Sequence, residues 1–260
     1  IIVSGVKKRA EEEGYVHVEV IGAITKGEKG QEITEMGDMA MRGAMAFSDD
    51  GHYVDSAHIM LLAAKYAGIF DKALICHDIE TELNHEGYMH EGAVSARLGV
   101  PGVPAIAEDI AVARDAIIAE YTGTHVHIAH IASKGAVDIV RQKGIPITCE
   151  VAVHHLTLTD EMCSSYSTAT RVSPPLRSWD HVEALREALK DGTIDAIVTD
   201  HAPHAPEEKD VEFRYAPNGF CGLETSVGVI LTELYQTHEF TINEIVDKMS
   251  TSPAKLFNLD

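Results

Sequence analysis

No apolar run in the 260 residues approaches the roughly 18 that a membrane-spanning helix needs, and the N-terminal residues lack the layout of a signal peptide. Both absences argue against a membrane protein. Cysteine is sparse and never falls in a CxxC pair; Cys76, Cys149, Cys163 and Cys221 mostly sit in or beside apolar runs. That usage suits reduced core thiols and a cytoplasmic setting. Basic residues are scarce too, 21 Lys and Arg against 41 Asp and Glu, for a formal charge of -20. That balance argues against a phosphate-tracking surface, and so against nucleic acid as a partner, and for a soluble protein. Internal repeats and low-complexity tracts are absent.

What is present is a core-forming composition, 45% hydrophobic, at a length common for a single α/β barrel domain. Short β-rich runs alternate with amphipathic helical stretches, the pattern of parallel strands joined by crossover helices. Six strands are expected, at Val16 to Thr25, Ala44 to Ser48, Ala73 to Cys76, His125 to Ile131, Ile145 to Val153 and Ile194 to Val198. Helices are expected at Val3 to Glu13, Ser56 to Ala67 and Ile106 to Tyr121. Long segments, Asp78 to Pro104 and His201 to Gly222, follow strand ends, where barrel enzymes build their sites.

Four of the six strands run into carboxylate or imidazole. Ala44–Ser48 leads to Asp49-Asp50-Gly51, Ala73–Cys76 to His77-Asp78, His125–Ala129 to His130, and Ile194–Val198 to Thr199-Asp200-His201. Parallel barrel strands open on one face, so these groups are expected to converge although distant in sequence. The donor set suits zinc or a similar divalent ion able to lower the pKa of bound water.

Each residue also has a plainer reading. Asp50 before Gly51 could be a turn residue, and His77 a satisfied core histidine. His125 and His127 read as wall residues flanking His130. Asp200 is harder to dismiss, because His204 follows it closely in Thr-Asp-His-Ala-Pro-His. His154 and His155, taken as strand residues, should face opposite ways, so they read as structural or as buttressing the site. Met36, Met39, Met41 and Met45 are expected to be core packing.

Nine segments in order complete the pattern: Phe47-Ser-Asp-Asp-Gly51, Met89-His-Glu-Gly92 with Leu98–Pro104, Ala107-Glu108 with Ala113–Asp115, His127-Ile-Ala-His130, Pro174-Pro-Leu-Arg177, Asp191–Asp195, Thr199–His204, Gly222-Leu-Glu-Thr225 and Ser252–Phe257. Together they resemble the bacterial and archaeal dihydroorotases whose metal-bridging group is an aspartate, and the resemblance covers essentially the whole chain. It implies an α/β fold of the TIM-type (β/α)8 barrel of the metal-dependent amidohydrolases, here incomplete, with about strands 3 to 8 in residues 1–260. The implied reaction is the reversible closure of N-carbamoyl-L-aspartate to L-dihydroorotate in pyrimidine synthesis.

By the same resemblance Asp50 bridges two metal ions, His77 and His130 hold one of them, and Asp200 ligates the other and carries the proton. One or two zinc ions per subunit are implied. His204 would bind the substrate carboxylate, and Ser173 and the backbone at Asn218-Gly219 would meet the ring. Ser173 stands where the family usually has Asn, and Asn218 where it has an apolar residue. The family's first-strand His-x-His and arginine, its second-strand asparagine and its flanking small β-domain segments have no counterpart in these residues. The expectation is therefore a part of a longer protein, inactive if these residues were the entire chain. A homodimer and association with aspartate transcarbamoylase are the partner expectations. The alternatives are a hydantoinase- or allantoinase-like amidohydrolase, disfavoured because those use a carboxylated lysine as the bridge, and a silent homologue serving aspartate transcarbamoylase as scaffold.

Overall fold

A computed structural model describes residues 2–84, 86–142 and 144–259. They form two compact units, one of Ile1–His77, Ala113–Ile128 and Lys143–Thr148, the other of Asp78–Val112, Ala129–Gln142 and Cys149–Asp260. The strands are β1 (Val20–Gly22), β2 (Ala44–Ser48), β3 (Leu74–Cys76), β4 (Met89–His90), β5 (Gly102–Val103), β6 (Val126–Ile128), β7 (Ile147–Ala152) and β8 (Ala196–Val198). All six expected strands are present, most of them shorter than their β-rich runs. The β-branched flanks that lengthened the expectation lie just outside the ladders. β4 and β5 were not expected; each is two residues long, too short to show a period of two.

In the first unit β1, β2, β3 and β6 lie side by side and parallel, with Val20 opposite Ala44, Phe47 opposite Leu74, and Leu74 opposite Val126. Parallel neighbours need crossovers, and helices supply them. The helix Ala57–Ile69 starts at Ser56, whose hydroxyl accepts the N–H of Ile59, a cap that ends the extended segment before it. It buries Met60, Ala63, Ala64 and Ala67, while Phe47, Leu74 and Val126 of the strands are fully buried. Each large apolar side chain so removed from water contributes about 1.5–3 kcal/mol. Thr148 Oγ1 lies 2.7 Å from both His125 Nε2 and His127 Nδ1. One hydroxyl proton serves two rings, so one ring accepts and the other donates.

The short helix Met36–Met41 buries Met36, but Met41 at its last turn is 79% exposed. The expectation of a buried methionine cluster is corrected there: Met39 and Met45 are half-buried, and Met41 is on the surface.

The second unit holds the parallel pair β7 and β8, with Val151 opposite Ile197, and the small pair β4 and β5. The helices Lys134–Val140 and Trp179–Asp191 pack together and bury Val137, Val140, Val182, Leu185 and Leu189. Ser133 caps the first of them, accepting Ala136 N–H at 3.1 Å. Among the described residues no helix is long and apolar enough to cross a membrane.

Candidate metal centre and substrate turns

Two adjacent aspartates at the end of β2 take opposite roles. Asp49 is buried; its Oδ1 accepts the N–H groups of Ile24 and Thr25 at 2.8 and 2.9 Å, and its Oδ2 accepts the Thr25 hydroxyl. It therefore ties the end of β2 to the residues following β1. Asp50 points the other way, 53% exposed, with its N–H on Ser48 Oγ. Its Oδ1 lies 3.6 Å from Nδ1 of His77, a ring only 7% exposed at the end of β3. That separation exceeds a hydrogen bond. It is close to the roughly 3.3–3.4 Å that separates two donors on one tetrahedral ion with bonds of about 2.0–2.1 Å. The pair thus fits a shared cation better than a direct bond, and the donor chemistry suits a borderline divalent metal.

In the second unit the two remaining sequence-predicted ligands share an uncommon backbone. His130 has φ 35° and Asp200 φ 46°, left-handed conformations that cost a non-glycine residue energy and recur where a side chain is aimed for function. His130 is buried. The turn after it is gripped by carboxylates: Glu108 Oε1 accepts Ala132 N–H at 2.6 Å and Ser133 N–H at 3.1 Å, and Asp109 Oδ1 accepts the Ser133 hydroxyl at 2.6 Å.

Asp200 lies 3.7 Å from Nε2 of His154, whose ring is stacked on Phe220 at 4.5 Å between centroids. Burial, together with the nearby His130, pushes His154 down to about 3. The ring is neutral, so its approach to Asp200 is not an ion pair. The strand geometry expected for His154 and His155 does not hold. β7 ends at Ala152, and both residues lie in the short helix Val153–Thr157 with ring centroids 4.4 Å apart. Helical neighbours diverge by about 100° rather than 180°, so both rings stay buried. His155 Nε2–H donates to Pro174 O at 2.9 Å and so anchors the turn that carries Ser173.

The predicted substrate residues gather around Arg171. Its Nε donates to Asn218 Oδ1 at 3.0 Å, its carbonyl accepts Gly219 N–H at 3.0 Å, and Ser173 follows two residues later. His204 Nε2–H donates to Asn218 O at 2.8 Å. Gly219 has φ 144°, and a Cβ there would sit 2.2 Å from Ala202 O, so the close approach admits only glycine.

Sequence reasoning assigned no role to Glu108, Arg177 or Asp49. Arg177, 1% exposed, donates from Nη2 to Glu108 Oε2 at 3.2 Å and from Nη1 to Val103 O at 3.0 Å. The available signal was an arginine directly after an apolar Pro-Pro-Leu run, a place where a charge must find a buried partner.

A family model described as dihydro-orotase-like matches residues 3–136. A dihydroorotase of Pelotomaculum thermopropionicum is 51% identical over 95% of this chain and 58% of its own length. A dihydroorotase of Acetivibrio thermocellus is 44% identical over 100% of this chain and 62% of its own. The chain thus spans about three fifths of the curated relatives it matches. Among solved structures, an L-hydantoinase (dihydropyrimidinase) from Arthrobacter aurescens superposes with a TM-score of 0.83 at 22% identity, covering 98% of this chain and 59% of that one. A dihydroorotase from Saccharomyces cerevisiae, in complex with 5-fluoroorotic acid, gives 0.77 at 12% identity, covering 100% and 72%. At such identities the likeness carries the fold alone: α/β, part of a TIM-type barrel.

Proposed function

The chain belongs to the dihydroorotase-like family, and from that premise we propose that the whole protein interconverts L-dihydroorotate and N-carbamoyl-L-aspartate in pyrimidine synthesis. The observation that carries this reading over a hydantoinase is Asp50, a carboxylate set against His77 at the strand end where hydantoinases place a carboxylated lysine.

In this reading Asp50, His77, His130 and Asp200 hold one or two divalent ions, zinc being the best match to the donors. Bound there, such ions polarise the ring carbonyl and lower the pKa of water toward neutrality. The remaining work falls to side chains. Asp200, aimed by its left-handed backbone, accepts the proton of the attacking water. Water oxygen bonds to the ring carbonyl carbon, the C–N bond breaks, and Asp200 hands the proton to the departing nitrogen. His204 would leave Asn218 O to meet the substrate carboxylate, and Ser173 with the backbone at Asn218 and Gly219 would bind the ring amide.

The reading takes residues 1–260 as part of one metal-dependent hydrolase barrel. It includes a cytoplasmic location, a homodimer and association with aspartate transcarbamoylase. The experiment is a comparison of L-dihydroorotate, hydantoin and allantoin as substrates of the full-length protein. Dihydroorotate should be turned over far faster than the other two. Preference for hydantoin or allantoin would overturn the assignment, and no turnover of any substrate would favour a silent scaffold.

A further inference from the structure

The Glu108–Arg177 pair joins two turns that the proposed reaction needs. Glu108 lies in the first turn of the helix Ile106–Thr122 and is buried to 1%. One of its oxygens takes the two backbone N–H groups that follow His130 by two and three residues, and the other takes Arg177. Arg177 closes the run Ser173-Pro174-Pro175-Leu176, and its own carbonyl accepts Asp160 N–H at 3.0 Å. The fit is tight on the His130 side: a Cβ on Gly135 would meet the Asp109 carboxylate at 2.3 Å.

A buried ion pair contributes little net stability over an apolar pair of the same size. The attraction between the two charges therefore adds little to the fold, whereas the hydrogen bonds that the pair makes run to two specific segments. We propose that Glu108 and Arg177 are positioning residues, Glu108 setting the His130 imidazole for the metal and Arg177 setting the Ser173 turn for the substrate amide. The inference rests on the metal-dependent reading above. It goes beyond it in giving one buried pair control of both sites.

The two ends of the pair should report separately in the full-length protein. Arg177→Lys keeps a cation beside Glu108, and so the fold, but cannot also keep the bonds that Arg177 Nη1 makes to Val103 O and, at 3.3 Å, to His90 Nδ1. It should raise KM on the order of 10-fold while metal release to a chelator changes little. Glu108→Leu combined with Arg177→Met removes both charges and the acceptor for Ala132 and Ser133. It should speed metal release roughly 10–100-fold, the scale expected when a ligand loses its outer support, and raise KM as well.

Melting temperature, measured alongside, separates positioning from general loosening. Metal release that merely follows melting temperature, or a double variant that keeps metal like the parent, would overturn the proposal. Should the double variant not fold, Arg177→Lys decides alone, and an unchanged KM there overturns it. His130→Ala separates the two readings. If it leaves metal content intact, the metal-centre reading fails; if it lowers metal content while the double variant retains metal, only the present inference fails.

Discussion

The Asp200 carboxylate and the His154 imidazole approach to 3.7 Å, the ring held neutral by burial and pressed flat against Phe220. A neutral ring adds no charge of its own beside the carboxylate that the proposed reaction uses for proton transfer.

Asp200→Asn should therefore lower turnover by about 10²–10⁴-fold, the range of a lost general acid–base group, while most of the metal stays bound. Rates and metal content measured on the same preparation check this. A variant with wild-type turnover would remove Asp200 from proton transfer.

The two aspartates after β2 should separate cleanly. Asp49→Ala strands the Ile24 and Thr25 N–H groups and should cost about 2–4 kcal/mol of stability, with metal per folded molecule unchanged. Asp50→Ala, at a half-exposed position, should leave the melting temperature of the metal-free protein nearly unchanged but deplete the metal. Denaturation and elemental analysis would show the reverse pattern if the roles were exchanged.

Gly219→Ala places a methyl group on Ala202 O and demands a positive φ of an L residue. The strain is about 1–3 kcal/mol. The segment should shift away from Arg171, and kcat/KM for dihydroorotate should fall at least about 10-fold, mostly through KM. Unchanged KM in a folded variant would contradict a role for this turn in binding.

His90 gives the fold a pH dependence. Its Nδ1 accepts from Arg177 Nη1 at 3.3 Å, which puts its proton on Nε2, facing Ser178 Oγ at 3.4 Å. Burial first, then the Arg177 charge, push the ring down to about 4. The unfolded chain, with His near 6.5, binds the proton more readily. His90 therefore contributes stability in full above about pH 6.5 and loses it progressively toward pH 4. Replacement by Asn should flatten the urea-denaturation stability curve over that window; a curve of unchanged slope would show that the ring titrates normally.

The strand positions, and the polar residues that end them, were legible because a parallel strand leaves a dense apolar run and its end leaves an abrupt polar residue. β2 was located to the residue, and the helix expected at Ser56 to Ala67 from its apolar periodicity is observed at Ala57–Ile69. What escaped depended on distant partners. Nothing local distinguishes Asp49, turned back onto Thr25, from Asp50, turned outward. Glu108 and Arg177 are 69 residues apart, and their bond exists only after the fold brings them together. His154 and His155 were placed on a strand because the apolar run continues through Val153, although the backbone turns helical there.

The most direct test is anomalous diffraction from crystals of the full-length protein, at the edge of whichever divalent metal elemental analysis finds. A peak is expected about 2.0–2.2 Å from Asp50 and from His77 Nδ1. A metal bound elsewhere, with neither side chain ligating it, would contradict the metal-centre reading.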